Sequence, residues 1–120
     1  MEGHRDLVVW QKSMRFVTDV YQVTKAFPHD ERYGLTSQLR RAAVSVPSNI
    51  AEGHGRDSKN EFHQFIGHSR GSLLEVETQF EIAYNLGYID KATFSRLIRQ
   101  SSEIGRMLTG LRSWAAGANS

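Results

Sequence analysis

The residues best suited to chemistry in this 120-residue chain are five histidines, at positions 4, 29, 54, 63 and 68, and the carboxylates Glu75, Glu77 and Glu81. A metal site needs its ligands on one face. His63 and His68 are five residues apart, which turns them about 140° from each other on a helix. No His-x-x-x-His pair and no Glu-x-x-His pattern of the di-iron bundles occurs. The histidines therefore read as surface or loop imidazoles, and neither a metal nor a cofactor is expected. Glu77 and Glu81 share a helix face, but no second acid or nucleophile stands at a useful spacing, so a solvated acidic face or pairing with a neighbouring helix's arginines is expected. There is no Gly-x-Ser-x-Gly, Walker loop or dinucleotide fingerprint. Gly53-His54-Gly55 has no strand before it and reads as a helix-ending turn. A non-enzymatic protein is the expectation.

The basic residues are more informative. Residues 90–115 hold Lys91, Arg96, Arg99, Arg106 and Arg112 against Asp90 and Glu103, leaving three net positive charges. Residues 58–87 hold Lys59 and Arg70 against Glu61, Glu75, Glu77 and Glu81, leaving two net negative ones. Arg99 and Arg106 are seven apart and face the same way, and Lys12 and Arg15 project from the first helical segment. If those segments are neighbours, Lys12, Arg15, Arg96, Arg99 and Arg106 form a basic strip suited to nucleic-acid phosphates, where affinity comes from neutralised charge without reading a base. The same charges would equally solubilise the helix or pair with an acidic helix of another copy.

These residues must be positioned by helices. Pro28 and Pro47 are the only prolines, and apolar residues between the turn signals recur by threes and fours. The first helix is expected over residues 6–27, capped by Asp6 and stopped by Pro28. It carries two apolar stripes. Leu7, Trp10, Met14, Val17, Tyr21 and Thr24 form one, and Val9, Phe16, Val20, Val23 and Phe27 the other. One bundle seam needs a narrower face, so a second buried contact is implied. The second helix is expected over residues 30–54, with Leu35, Leu39, Ala42, Ala43, Val46 and Ile50 inward. Pro47 should kink or briefly break it, with Ser45, Ser48 and Asn49 repairing the freed groups. Ser58 and Glu61 form a capping box that opens the third helix, residues 58–87. Phe62, Ile66, Ser69, Leu73, Val76, Phe80 and Ala83 then keep a heptad register. Asp90 caps a fourth helix, residues 90–115, with Phe94, Leu97, Ser101, Ile104, Leu108 and Leu111 inward and a frayed small-residue tail after it. Joined by short connections, these make an all-α, antiparallel, up-down-up-down four-helix bundle in a single domain, residues 1–120. Arg40 and Arg41 flank the second helix's apolar stripe, so one should reach Glu75 or Glu77. Ala42 and Ala43 should meet Gly71 and Ser72 across the seam, which would explain a glycine inside a helix.

Composition bounds the setting. A 39% hydrophobic share and 23% charged residues fit one folded domain. The absence of cysteine excludes a disulfide framework. No membrane-length apolar run occurs, and the start Met-Glu-Gly-His-Arg-Asp lacks a signal peptide's apolar core, so no membrane association and a cytoplasmic location are expected. A formal charge of +2 is mild.

Leu7-Val8-Val9-Trp10-Gln11, Phe27-Pro28, Tyr33-Gly34-Leu35, the run QLRRAAVSVPSNIAEG from Gln38 to Gly53, Gly71-Ser72-Leu73, Glu75-Val76-Glu77-Thr78-Gln79 and Leu86-Gly87-Tyr88-Ile89 belong together. Over nearly the whole chain they resemble the four-helix-bundle family encoded by intervening sequences in bacterial 23S rRNA genes. Arg40, Arg41, Pro47, Asn49, Glu52, Gly71, Ser72, Glu75 and Glu77 match its motif. More distantly the chain is similar to the accessory variability protein of diversity-generating retroelements. The resemblance implies a small up-and-down bundle, assembly into a homo-oligomer such as a cyclic pentamer, and rRNA or other nucleic acid as partner. It assigns no catalytic residue. The retroelement likeness implies an alternative, an adaptor ring that recruits a protein partner such as a reverse transcriptase.

Overall fold

The computed structural model describes residues 3–117. Four helices account for most of them: α1 Val8–Thr24, α2 Leu35–His54, α3 Lys59–Asn85 and α4 Lys91–Gly117, with short 3-10 turns at His4–Asp6 and His29–Glu31 and no strand among the described residues. Cross-helix contacts run in opposite chain order. Lys12 meets Glu103 and Asp19 meets Arg96; Val46 meets Ser69 and Gln38 meets Gln79; His63 meets Arg112 and Glu77 meets Ser101. Each helix is therefore antiparallel to its neighbour, and α1 closes the ring of helices against α4.

The starts of the first two helices differ from the sequence expectation. Asp6 does not cap α1. It lies exposed in the 3-10 turn, Leu7 is extended at ψ 121°, and no side chain caps the helix. At the far end, Ala26 N–H and Phe27 N–H bond the carbonyls of Val23 and Thr24, so the chain tightens and leaves the helix before Pro28. Helix α2 begins five residues later than expected, because residues 29–31 form their own turn. Glu31 supplies what a helix start lacks: its carboxylate accepts from Leu35 N–H at 3.1 Å and from the Tyr88 hydroxyl at 2.8 Å. Those two donors, Leu35 first, hold its carboxyl below the usual carboxylate range.

The other ends follow the sequence more closely. Glu61 N–H donates to Ser58 Oγ at 3.1 Å at the start of α3, and Thr93 N–H donates to Asp90 Oδ1 at 2.8 Å at the start of α4. Helix α3 ends on Gly87 at φ +80°, with Tyr88 N–H on the Ala83 carbonyl and Gly87 N–H on that of Tyr84, a left-handed C-cap that favours glycine. Helix α2 runs unbroken through Pro47. Asn49 Nδ2 donates to the Ser45 carbonyl and to Ser45 Oγ, both at 2.8 Å, and Ser69 Oγ donates from α3 to the Val46 carbonyl. The end of α4 is not frayed over the described residues: it is helical to Gly117, with Ala115 fully buried. Residues 118–120 of the expected tail lie outside them.

The core is built from the inward registers. All seven α3 positions from Phe62 to Ala83 are buried, as are Leu35, Leu39, Ala42, Ala43, Val46 and Ile50 of α2. In α1 the stripe of Val9, Phe16 and Val20 fills the core. In α4 Leu97, Ser101, Ile104 and Leu108 do so, with Phe94 and Leu111 at its edge. The serines at core positions are satisfied: Ser13 Oγ donates to the Val9 carbonyl, Ser69 to Val46 and Ser101 to the Glu77 carboxylate.

Candidate nucleic-acid interface

The antiparallel packing of α1 and α4 places Lys12 and Arg15 beside Arg96, Gln100 and Glu103. Two of the five strip residues are already spoken for. Arg96 donates through Nε and Nη2 to both oxygens of Asp19, at 3.3 and 2.9 Å, and Lys12 pairs with Glu103. The Lys12 ammonium, with smaller help from Arg106 and Arg15, holds the Glu103 carboxyl below the usual range. Arg15, Arg99 and Arg106 are exposed and make no ion pair among the described residues. The face shared by α1 and α4 thus brings together Lys12, Arg15 and Arg96 with the carboxylates of Asp19 and Glu103, whereas Arg106 lines a groove with Arg70, Leu73, Leu74 and Glu77 of α3.

The motif residues of the centre of the chain lie on α2 and α3, but Arg40, Glu77 and Gly71 do not face the seam between them. Arg40 does not reach α3. Its Nε donates to Thr24 Oγ1 at 2.9 Å and its Nη2 to the Tyr21 carbonyl at 3.3 Å, while its guanidinium lies 4.6 Å from the Tyr21 ring centroid. The cause is direction: Arg40 projects toward α1, whose last turn carries no basic residue of its own to meet the negative end of its dipole. Arg41 does lie toward α3, sharing a cleft with Glu75, Gln38 and Gln79, but makes no ion pair with Glu75. Glu77 turns the other way, to Ser101 of α4.

The small-residue contact also falls elsewhere. Nothing lies within 4 Å of the position a Cβ would take on Gly71, which faces solvent. The close approach of α2 and α3 is at Gly53, where an added Cβ would stand 2.6 Å from Phe65 Cβ. Ser72 does cross the seam, donating to Ser45 Oγ at 2.9 Å, and Glu52 pairs with Arg56 at 2.8 Å. Spacing separates the two glycines: Gly53 follows Ile50 by three in the buried register of α2, whereas Gly71 lies between Ser69 and Leu73, off the buried register of α3.

Two apolar features complete the surface. Trp10, Met14 and Val17 of α1 form a groove of about 360 Å³ with Val44, Pro47 and Ala51 of α2; this is the outer stripe of the first helix, with Met14 and Tyr21 exposed. At one end of the bundle Leu7, Phe62, Leu111 and Trp114 line an open cavity of about 530 Å³. Lys59 lies 4.0 Å from the Trp114 ring centroid at its rim. The histidines do not assemble: His4 packs on Trp10, His63 Nδ1 lies 3.1 Å from the Arg112 carbonyl, and His68 packs on Phe65. Among the described residues no group of three His, Asp or Glu gathers where a metal could sit, and no helix is long and apolar enough to cross a membrane.

Comparison with known proteins agrees with this architecture. A crystal structure of a protein of unknown function from the S23 ribosomal protein family of Bacteroides thetaiotaomicron superposes with a TM-score of 0.79 at 21% identity, covering 88% of this chain and 98% of that one. The likeness is one of fold. No curated protein matches the chain. The family model described as 23S rRNA-intervening sequence protein matches residues 5–110, which takes in all of α1, α2 and α3 and most of α4, so the chain belongs to the 23S rRNA-intervening sequence protein family.

Proposed function

We propose that the protein is a non-enzymatic, homo-oligomeric helical bundle that binds RNA through its phosphates, using the face shared by α1 and α4. The observation that carries this reading is the set of exposed arginines without an ion pair, Arg15 on α1 and Arg99 and Arg106 on α4, the last on the side of α4 toward α3. Free guanidinium donors on one side of a bundle neutralise successive phosphates and need no base contact. The family's tie to 23S rRNA genes favours structured RNA as the ligand. Filter binding with rRNA fragments tests it. Binding at low salt that Arg15→Glu together with Arg99→Glu abolishes supports the reading; no binding at low salt, or binding indifferent to salt, refutes it.

Self-association rests on the α1 and α2 groove. Trp10, Met14, Val17 and Val44 present a continuous apolar strip that the monomer leaves half-covered, and such a surface is ordinarily buried by another chain. A cyclic assembly of identical chains, pentameric in relatives the sequence resembles, would cover it. Light scattering of the wild type should report an oligomer, and Met14→Glu with Val44→Glu should reduce it to monomers. A wild-type monomer at micromolar concentration refutes the assembly.

The same groove favours a second reading, an adaptor whose apolar face takes up a protein such as a nucleic-acid enzyme. A partner captured from the native host that survives nuclease treatment and is lost with Met14→Glu would support it over RNA binding.

A further inference from the structure

We propose that the cleft between α2 and α3 holds one unpaired guanine of a bound RNA, an inference that rests on the RNA-binding function proposed above and gives it a base-reading site. The cleft measures about 410 Å³, within the roughly 300–1,000 Å³ typical of small-molecule sites. Its floor is polar and fixed: Ser72 donates to Ser45 Oγ, which also accepts from Asn49 Nδ2. Beside that floor Gln79 donates through Nε2 to Gln38 Oε1 at 3.4 Å, while its own Oε1 is shut off from solvent and so from the cleft. Arg41 and Glu75 line the same cleft, exposed, with no ion pair to each other or to any described residue.

At the mouth stands Tyr33, 86% exposed and therefore not a core residue. The Arg32 guanidinium lies 5.3 Å from its ring centroid, leaving the ring's other face open. An exposed aromatic backed by a guanidinium is a stacking platform for a splayed base. The hydrogen-bonding groups then select which base. Guanine presents the adjacent donors N1–H and N2–H, which suit one carboxylate, together with the paired acceptors O6 and N7, which suit one guanidinium. Glu75 and Arg41 offer that complement. A peptide anchor would need an apolar pocket, whereas this cleft is lined by hydroxyls, amides and charges apart from Ala42.

The experiment is a heteronuclear NMR titration of the intact protein with guanosine, adenosine, cytidine and uridine 5′-monophosphates. The side-chain amides of Gln38 and Gln79 should shift with the guanosine nucleotide, which should bind at least about fivefold more tightly than the others, the lower end of discrimination by a bidentate base contact. Tyr33→Ala should weaken it by about fivefold or more, and Glu75→Gln should erase the preference for guanine. Both side chains are exposed, so both variants should melt like the wild type. No shift in the cleft at millimolar nucleotide, or equal affinity for all four, overturns the proposal. The Arg15→Glu, Arg99→Glu protein separates the two readings. Loss of duplex RNA binding with the nucleotide shifts retained supports both sites. Duplex binding intact in the wild type without nucleotide shifts overturns the cleft alone. Nucleotide shifts in a wild type that binds no duplex overturn the phosphate strip alone.

Discussion

Helices α1 and α3 are both amphipathic, but they spend their apolar residues differently. Helix α3 carries one heptad register, and every member of it from Phe62 to Ala83 is buried within the same chain. Helix α1 and its ends carry two stripes; Leu7, Val9, Phe16, Val20, Thr24 and Phe27 are buried, while Trp10, Met14, Val17 and Tyr21 remain on the surface or half-covered. One helix is complete in the monomer. The other leaves part of its apolar surface exposed, which is why the contact surfaces proposed for this protein include α1.

The largest effect should therefore separate the two stripes of α1. Phe16→Ala removes a fully buried ring and should cost about 3–5 kcal/mol of unfolding free energy. Met14→Ala, two residues away, should leave monomer stability within about 0.5 kcal/mol, as surface changes do. Chemical denaturation of both variants under monomeric conditions measures the difference; equal losses would show that the outer stripe is part of the core.

A second pair contrasts the glycines. Gly53→Ala forces a Cβ to within 2.6 Å of Phe65 Cβ and should destabilise by about 1–3 kcal/mol through overpacking of α2 on α3. Gly71→Ala enters open space inside a helix and should stabilise the chain by about 0.5–1 kcal/mol. Thermal melts that give both changes the same sign would break this assignment of the close contact.

Arg40→Ala tests whether α2 caps α1. It strips the Thr24 hydroxyl of its donor and the Tyr21 carbonyl of one of two, and uncovers the Tyr21 ring, so a loss of about 1–2 kcal/mol is expected. Arg41→Ala, which faces the open cleft, should be nearly neutral by the same denaturation assay.

Acidification should give the smallest change. Glu31 and Glu103 are held below the ordinary carboxylate range, Glu31 by the donors Leu35 and Tyr88 and Glu103 by Lys12. A depressed folded-state pKa means the unfolded chain binds protons more readily, so the stability these groups contribute is present above the unfolded value and is lost as pH falls through the folded one. A melting temperature that falls on acidification in the wild type, and falls less in Glu31→Gln, is the expected result.

How much of this was legible in the sequence depended on whether a local rule fixed the answer. The α3 register was readable because its steps of three and four are interrupted by no competing pattern, and Ser58 and Asp90 announced their helices because a cap is a contact over three residues. Asp6 misled because the same residue type serves a 3-10 turn as well as a helix start. The partners of Arg40 were not readable, since they depend on which neighbour lies on each side of the helix, whereas the emptiness beside Gly71 follows from its place off the α3 register. The basic strip was legible as a set of positions. Its partial neutralisation was not, because Asp19 and Glu103 become relevant only when α1 and α4 are side by side.

The central claim is that the α1 and α4 face neutralises phosphates with Arg15, Arg99 and Arg106. The most direct measurement is the salt dependence of the RNA association constant for the wild type and for Arg99→Gln. The account predicts a wild-type log–log slope negative by about 0.7–0.9 per neutralised phosphate, and a slope shallower by roughly one such step for each copy of Arg99 in contact when it is replaced. A flat wild-type slope, or one that Arg99→Gln leaves unchanged, would contradict it.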